Sequence, residues 1–476
     1  MTFVATPAPG AMFVNWTGAC SGTGDGVVTP IPTAGVTCTA NFRNLWARSF
    51  HTSDSTGARG VVETNNALRY LACAGDDGCT AVVWNANKLT GAVIANTAFR
   101  LSEEFSLMRG VDILRDGANG TVVAVDTDDA GGPGLIWLGA TNQVVRAFSY
   151  KTDGPIYHQP QKVLRNEAGG LSIAQYTYTF SDVDVLPAEL VRVGSTGAVV
   201  GGTGFREALG DCAAPELAPT FYPAAMAQND AGSYLVASSV NDGLDFVYRL
   251  NLTLFDQSGV PQWSRRVDAS DLTLGVSAED IVARGNDFFV MGSMNDAAGS
   301  VDAFVLSISA TGTINWWKSA GNDGLEESAN EAILRGTDLI VVGQSDQEGS
   351  SDFSALVWAG DGSTASGWLY GGAGFDRGAS LSAASGGGYN LFGGTVDSFG
   401  NADNASWALR VDQDLQLVLE TGSVIPYEPA LRSQALNNVR VGCVGPSMYA
   451  LTTPVAHDLA LTRTPTTISG TYQAGP

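Results

Sequence analysis

Carboxylates are the side chains of this sequence whose spacing is able to support chemistry. They gather where short apolar runs give way to turn residues: Asp76 and Asp77; Asp126, Asp128 and Asp129; Asp182 and Asp184; Asp242 and Asp245; Asp296 and Asp302; Asp346, Glu348 and Asp352; Asp397 and Asp403; and Asp458. The alternate turns, at 85–91, 194–197 and 383–388, are far less acidic. One face of the fold is therefore expected to be strongly negative and the other nearly neutral. A hard cation such as Ca²⁺ takes several oxygen ligands from flexible loops. Asp126, Asp128 and Asp129 form the densest cluster and are the candidate metal ligands, with Ca²⁺ as the one cofactor the sequence suggests. The competing reading is that Asp favours turns and keeps the protein soluble. Histidine is scarce, with only His51, His158 and His457, and these read as structural polar positions. No Cys-x-x-Cys or His-x-x-x-His spacing points to zinc. No nucleophile-elbow glycine pattern surrounds a serine, and no catalytic residue is assigned.

The charge balance narrows the partners. Forty-eight acidic side chains against 25 basic ones give a formal net charge of −23, which repels phosphate backbones and excludes nucleic acid. No apolar run reaches the roughly 18 residues of a membrane span. Six cysteines, an even number, suggest an oxidising compartment. Cys73 and Cys79 flank a turn, so a bridge there staples a hairpin, whereas Cys20 and Cys38 lie within one small repeat. Cys212 and Cys443 have no evident partner. Met1 runs straight into strand and turn residues, so the start reads as a cut through a longer polypeptide.

The elements that position these residues are strands. Apolar runs of four to eight residues alternate with turn residues, and 58 glycines supply the turns of an all-β chain. The segment from Asp302 to Gly312 aligns without a gap on that from Asp352 to Gly362, an offset of 50, and Asn404 to Asp412 continues the series. Each unit reads as four short strands. First strands are expected near Ala58, Leu107, His158, Tyr222, Ser277, Ser328, Arg377 and Arg432, which predicts an eight-bladed β-propeller, with seven blades plus a tail as the alternative. The last unit lacks a fourth strand, and residues 45–50 are expected to supply it, joining the chain ends and removing exposed edges. The domains are then 1–43, a small β-repeat remnant; 44–463, the propeller; and 464–476, a tail. An insertion at 205–221 carries Cys212, Pro215, Glu216 and Phe221, the candidate partner-contacting residues on a long loop.

Two resemblances follow from these residues. The order of Pro7, Gly10, Phe13, Trp16, Gly18, Cys20 and Phe42 resembles the divergent internalin-type B-repeat of bacterial surface proteins. That resemblance implies a stalk or spacer without catalysis. Phe13, Trp16 and Phe42 form a mini-core too small to stand alone, and a Cys20–Cys38 disulfide supplies the staple. The unit from Gly386 through Phe392, Ser398-Phe399-Gly400 and Trp407 resembles a propeller repeat common in secreted and surface-anchored bacterial proteins. The run from Phe255 to Trp263 also shares a turn-then-tryptophan feature with eight-bladed quinone dehydrogenases, in which the tryptophans dock neighbouring blades. The adjacent cysteines those enzymes place against their cofactor are missing here. Gly134, Gly259 and Gly312 read as turn glycines with positive φ.

The function expected from all this is an extracellular binding or scaffold module of a bacterial surface protein, taking a protein or glycan ligand on one face. The alternatives are a propeller enzyme acting on polysaccharide or lactone, and a purely structural filament or surface-layer subunit. Carboxylates converging on the central channel favour the enzyme, a dispersed acidic rim favours binding, and large apolar patches at both ends favour assembly.

Overall fold

The computed structural model describes residues 2–6, 11–20, 22, 26–28, 37–50, 56–75, 80–101, 108–127, 132–151, 156–166, 169–179, 188–205, 207–208, 220–241, 248–268, 275–295, 299–322, 324–347, 350–396, 405–417, 423–427, 430–433, 438–444, 455–458, 461–464 and 472–473. Among these residues there are strands and no helix.

Seven antiparallel units of four strands account for most of the described chain. Their first strands are Thr56–Glu63, Met108–Asp116, Ile156–Arg165, Thr220–Gln228, Val276–Arg284, Glu327–Arg335 and Phe375–Ala383. Each first strand lies beside the first strand of the next unit, and that of unit seven lies beside that of unit one. The units thus stand around a common axis in the manner of propeller blades. In unit seven the fourth position is taken by Trp46–Phe50, which pairs antiparallel with Ala405–Val411.

Seven of the eight expected first strands lie at or next to their predicted positions. The exception is Arg432. Its strand, Ala430–Ser433, pairs with the outer edge of unit five at Ile314–Gly321 and begins no unit of its own. Residues 45–50 consequently complete the unit that begins at Phe375 and not an eighth. The rest of the C-terminal segment behaves as Ala430–Ser433 does. Ser423–Tyr427 pairs with the edge of unit six, Asn438–Val444 with unit four, Val455–Asp458 with unit two and Leu461–Thr464 with unit one. Tyr472–Gln473 then pairs with Trp46–Phe50 of unit seven. Among the described residues this belt reaches units six, five, four, two and one in that order, then seven, and covers outer edges that would otherwise present unpaired backbone groups.

Every first strand carries a β-bulge at the same place, at Arg59, Val111, Gln161, Ala224, Glu279, Asn330 and Ala379. A bulge adds twist and re-aims its side chain. In units five to seven the residue facing the bulged stretch is glycine, because the first-strand carbonyl sits over it. A Cβ on Gly292 would stand 2.0 Å from Ser277 O, one on Gly343 1.8 Å from Ser328 O, and one on Gly393 2.0 Å from Arg377 O.

The seams between units repeat as well. An aromatic ring from the fourth strand of one unit lies on a turn glycine of the next. A Cβ on Gly197, Gly312, Gly362 or Gly91 would stand 2.3, 3.3, 2.9 or 2.6 Å from Phe148, Trp263, Trp316 or Trp46 respectively. These four glycines all have positive φ. Trp263 also donates Nε1–H to Ala310 O, and Trp368 of unit six donates to Asp414 O of unit seven. The docking role expected of the tryptophans is therefore present. Gly259 and Gly312 have the expected positive φ, but Gly134 lies inside the strand Gly132–Leu138 and is absent from the left-handed glycines. The Trp46–Gly91 contact brings unit seven against unit one, where the buried Glu63 carboxylate accepts from Lys88, Asn390 and Arg410 at 3.0–3.1 Å and from the Ser385 hydroxyl and amide.

Ahead of the units, Ala11–Gly18 pairs with Cys38–Asn44, and Cys20 is bonded to Cys38. Ala5, Trp16 and Cys20 are buried there with Phe13, Cys38 and Ala40 packed against them. Phe42 touches the edge of Phe13 at 5.8 Å but is 44% exposed, so it covers the mini-core and is not part of it. Cys73 is disulfide-bonded, and Cys79 lies outside the described residues.

If the carbonyl-over-glycine contact sets the bulge geometry, Gly343→Ala should cost about 1–3 kcal/mol, as overpacking of a filled core does. Gly57→Ala, where nothing lies within 4 Å, should leave the thermal midpoint unchanged. Equal midpoints for the two variants would contradict the bulge reading.

Candidate functional site in the central channel

The bulges aim their side chains at the axis, where a cavity of about 670 Å³ is lined by residues from the first strands of all seven units. The residue after each bulge turns toward the neighbouring unit. There Asp112, Asp280, Glu331 and Ser380 each accept a hydrogen bond from a backbone N–H of the next first strand: Val163, Ala332, Leu381 and Val61, at 3.3, 3.1, 3.0 and 3.1 Å. In unit three the same position is Lys162, which has no acceptor and instead reaches across the axis. Its Nζ lies 3.4 Å from Asp280 Oδ1, 3.8 Å from Glu331 Oε1 and 3.9 Å from Asp112 Oδ2.

One ammonium among three carboxylates fixes the electrostatics. Burial alone would depress the Lys162 ammonium, but Asp112, Asp280 and Glu331 more than reverse this and hold it well above the usual lysine range. The carboxylates are left in net excess. Burial, reinforced by Asp280 and Asp112, pushes Glu331 up to about 7 against the pull of Lys162 and Ser380. Asp112 is likewise raised by burial and by Asp280, with Lys162 and the Val163 and Ile113 amides opposing.

Around this knot the cavity wall is mixed. Glu279 is solvent-accessible yet enclosed by the channel wall, which raises its carboxyl, with Asp280 adding and Arg377 opposing. Arg59 is held below its usual range by burial and by Arg377 and Arg109, and its Nε–H points at Cys73 Sγ, 3.5 Å away. Phe375, 61% exposed, completes the rim beside Arg377, Gln344 and Asn330.

The sequence reading placed its candidates elsewhere. Asp126 is a strand residue in Gly120–Thr127, 5% exposed, and not a loop ligand; Asp128 and Asp129 lie outside the described residues. Asp302 and Asp352, read as loop residues, are buried at the starts of third strands. Cys212, Pro215 and Glu216 also lie outside the described residues, and Phe221 belongs to the first strand of unit four, its backbone opposite Val240. His158 is buried, with Nδ1 3.1 Å from Glu189 Oε2, in keeping with a structural polar position. Among the described residues no three His, Cys, Asp or Glu side chains are grouped to hold a metal, and no helix is long and apolar enough to cross a membrane. The channel cluster was missed, although its members recur at steps of 49 to 51 residues in Asp112 and Lys162 and in Asp280, Glu331 and Ser380.

Comparison with known proteins adds to this in one region. Residues 1–44 match the divergent InlB B-repeat domain. No curated protein matches the chain. Among solved structures, a protein of unknown function from Dyadobacter fermentans is similar at 12% identity and a TM-score of 0.40, covering 85% of this chain and 100% of its own. The WD40 domain of SCAP from fission yeast is similar at 10% identity and 0.34, covering 84% and 98%. A subtype N11 neuraminidase-like protein of a flat-faced bat isolate from Peru is similar at 10% and 0.33, covering 87% and 98%.

The Glu331 environment predicts a pH dependence of stability. Its carboxyl is raised from 4.5 to about 7 by folding, so the native state holds the proton more tightly than the unfolded chain. The associated stability is fully present below about pH 4.5 and is lost as pH rises through about 7, a change of at most about 3 kcal/mol. Thermal melts across this range should show a shallower loss for Glu331→Gln than for the wild type. Parallel curves would contradict the assignment.

Proposed function

We propose that this chain is a seven-bladed, propeller-type binding module of an extracellular bacterial surface protein, and that its ligand is a glycan held at the mouth of the central channel. The observation that carries this reading is the polar cavity with an exposed aromatic, Phe375, at its rim. Ligand pockets combine concavity with a few placed polar groups. An aromatic face beside guanidinium and amide groups suits a sugar, whose C–H face packs on the ring while its hydroxyls meet Arg377, Asn330 and Gln344. The B-repeat match at residues 1–44 and the Cys20–Cys38 disulfide support an extracellular setting.

A second reading has its own support. The carboxylates do converge on the channel, and Glu279, raised and solvent-accessible, has the character of a general acid. Binding is favoured because Asp112, Asp280 and Glu331 already bond to backbone amides and to Lys162, which leaves Glu279 as the one of these four without such a contact to the ammonium.

Screening on an array of bacterial and host glycans should give ligands whose affinity falls at least about tenfold, or about 1.4 kcal/mol, in Phe375→Ala and Arg377→Ala. Binding unchanged in both variants would contradict the site. Turnover of a bound glycan that Glu279→Gln abolishes would replace the binding reading with the enzyme.

A further inference from the structure

The seams on either side of unit six each bury a pair of carboxylates that the Lys162 cluster and the ring contacts do not use. Asp352 opens the third strand of unit six and is 3% exposed, yet its Oδ1 has no hydrogen-bond partner. The neighbouring Ser351 hydroxyl and the Thr395 hydroxyl, both at least as buried, also have no partner. Thr395 stands opposite Asp376 in unit seven, and Ser351 is bridged to Phe375, so all four side chains come from the join between the two units. Asp376 is fully buried and accepts the Gly372 N–H through Oδ2 at 2.9 Å. Burial and the Asp376 charge push Asp352 up to about 6. Its Oδ1 occupies the space above Gly371, where a Cβ would stand 1.9 Å away.

The preceding seam repeats this arrangement 49 or 50 residues earlier, with Asp302, Glu327, Gly321 and Ser345 in place of Asp352, Asp376, Gly371 and Thr395. There a Cβ on Gly321 would lie 2.3 Å from Asp302 Oδ1 and 3.0 Å from Glu327 Oε2, so the two carboxylates face a common point. Two like charges brought together in a buried seam repel unless a proton or a cation joins them. The unpartnered Thr395 hydroxyl, directly across the ladder from Asp376, adds a neutral oxygen donor. An oxygen-only set with two carboxylates is what a hard divalent cation takes, the remaining positions being filled by carbonyls or water. Ser351, Asp376 and Thr395 also line the central cavity, which gives an ion a path from solvent.

We propose that the seam between units six and seven is a Ca²⁺ site, built from Asp352 and Asp376 with the Thr395 hydroxyl. Calcium there ties the third strand of one unit to the first strand of the next. The site is independent of the glycan reading and of the Asp128–Asp129 candidates.

The test compares chelator-treated full-length protein with and without millimolar CaCl₂, by thermal melting and by titration calorimetry. Calcium should raise the melting midpoint by several degrees. Asp352→Asn, close in shape, should abolish that rise and melt higher than the wild type in chelator, because it removes the like-charge repulsion. The second effect separates lost binding from failed folding. No calcium-dependent shift in the wild type would overturn the site, as would a shift that survives in Asp352→Asn. A rise produced equally by magnesium and sodium would reduce the effect to charge screening and overturn it too.

Discussion

The structure depends on an aromatic ring seated on a glycine. At four of the seven seams the last strand of one unit offers a Phe or Trp face, and the next unit offers a turn glycine in the left-handed region. A side chain at that glycine would be strained by its backbone and would collide with the ring, so turn conformation and inter-unit packing are one constraint. The same contact recurs between Trp46 and Gly91, where the two ends of the repeat region meet. Strand pairing alone would let the chain wander, since any edge can accept another strand. Where it occurs, the ring-on-glycine contact ties a particular fourth strand to a particular turn of the next unit. It is reinforced at the joining seam by Glu63 and Arg410, a buried pair that also bonds to Asn390, Ser385 and Lys88. A buried ion pair is costly unless its other hydrogen-bonding groups are met, and most of them are met here.

The channel is governed by the opposite problem, too much like charge at close range. The residue after the bulge is polar in five of the seven units, and four of these five, Asp112, Asp280, Glu331 and Ser380, are used as clips on the adjacent strand. Lys162 is the exception that makes the rest tolerable: it supplies positive charge to three carboxylates that would otherwise repel one another across the axis. The excess of carboxylates remains, and it takes the form of a raised Glu331. Structural clip and titrating group are thus the same residues, which is why convergence of carboxylates on a channel is weaker evidence for catalysis than it first looks.

Much of the architecture was legible from spacing. The offset of 50 residues and the turn glycines located first strands and residues 45–50 as a returning strand, and the resemblance of Phe255–Trp263 to quinone dehydrogenases implied the docking role of the tryptophans. What spacing could not convey was pairing partner. The strand at Ala430–Ser433 has the local signature of any short strand, and only its neighbours distinguish an edge-covering strand from the start of a new unit. It pairs in register without the bulge that every first strand of the seven units carries. The site was less legible. Asp302 and Asp352 sit next to turn residues and read as loop carboxylates, yet the first residues of a third strand face a buried seam. Lys162 was hidden because it breaks the pattern that its counterparts Asp112, Asp280 and Glu331 form, and only comparison of units would have singled it out.

The central proposal is that seven such units form the ring and that Trp46–Phe50 completes the seventh. An experimental map of the chain at side-chain resolution tests it most directly. The account predicts seven first strands around the channel, Trp46 seated on Gly91, and Ala430–Ser433 on the outer edge of unit five. An eighth first strand containing Arg432, with residues 45–50 paired anywhere other than against Ala405–Val411, would contradict it.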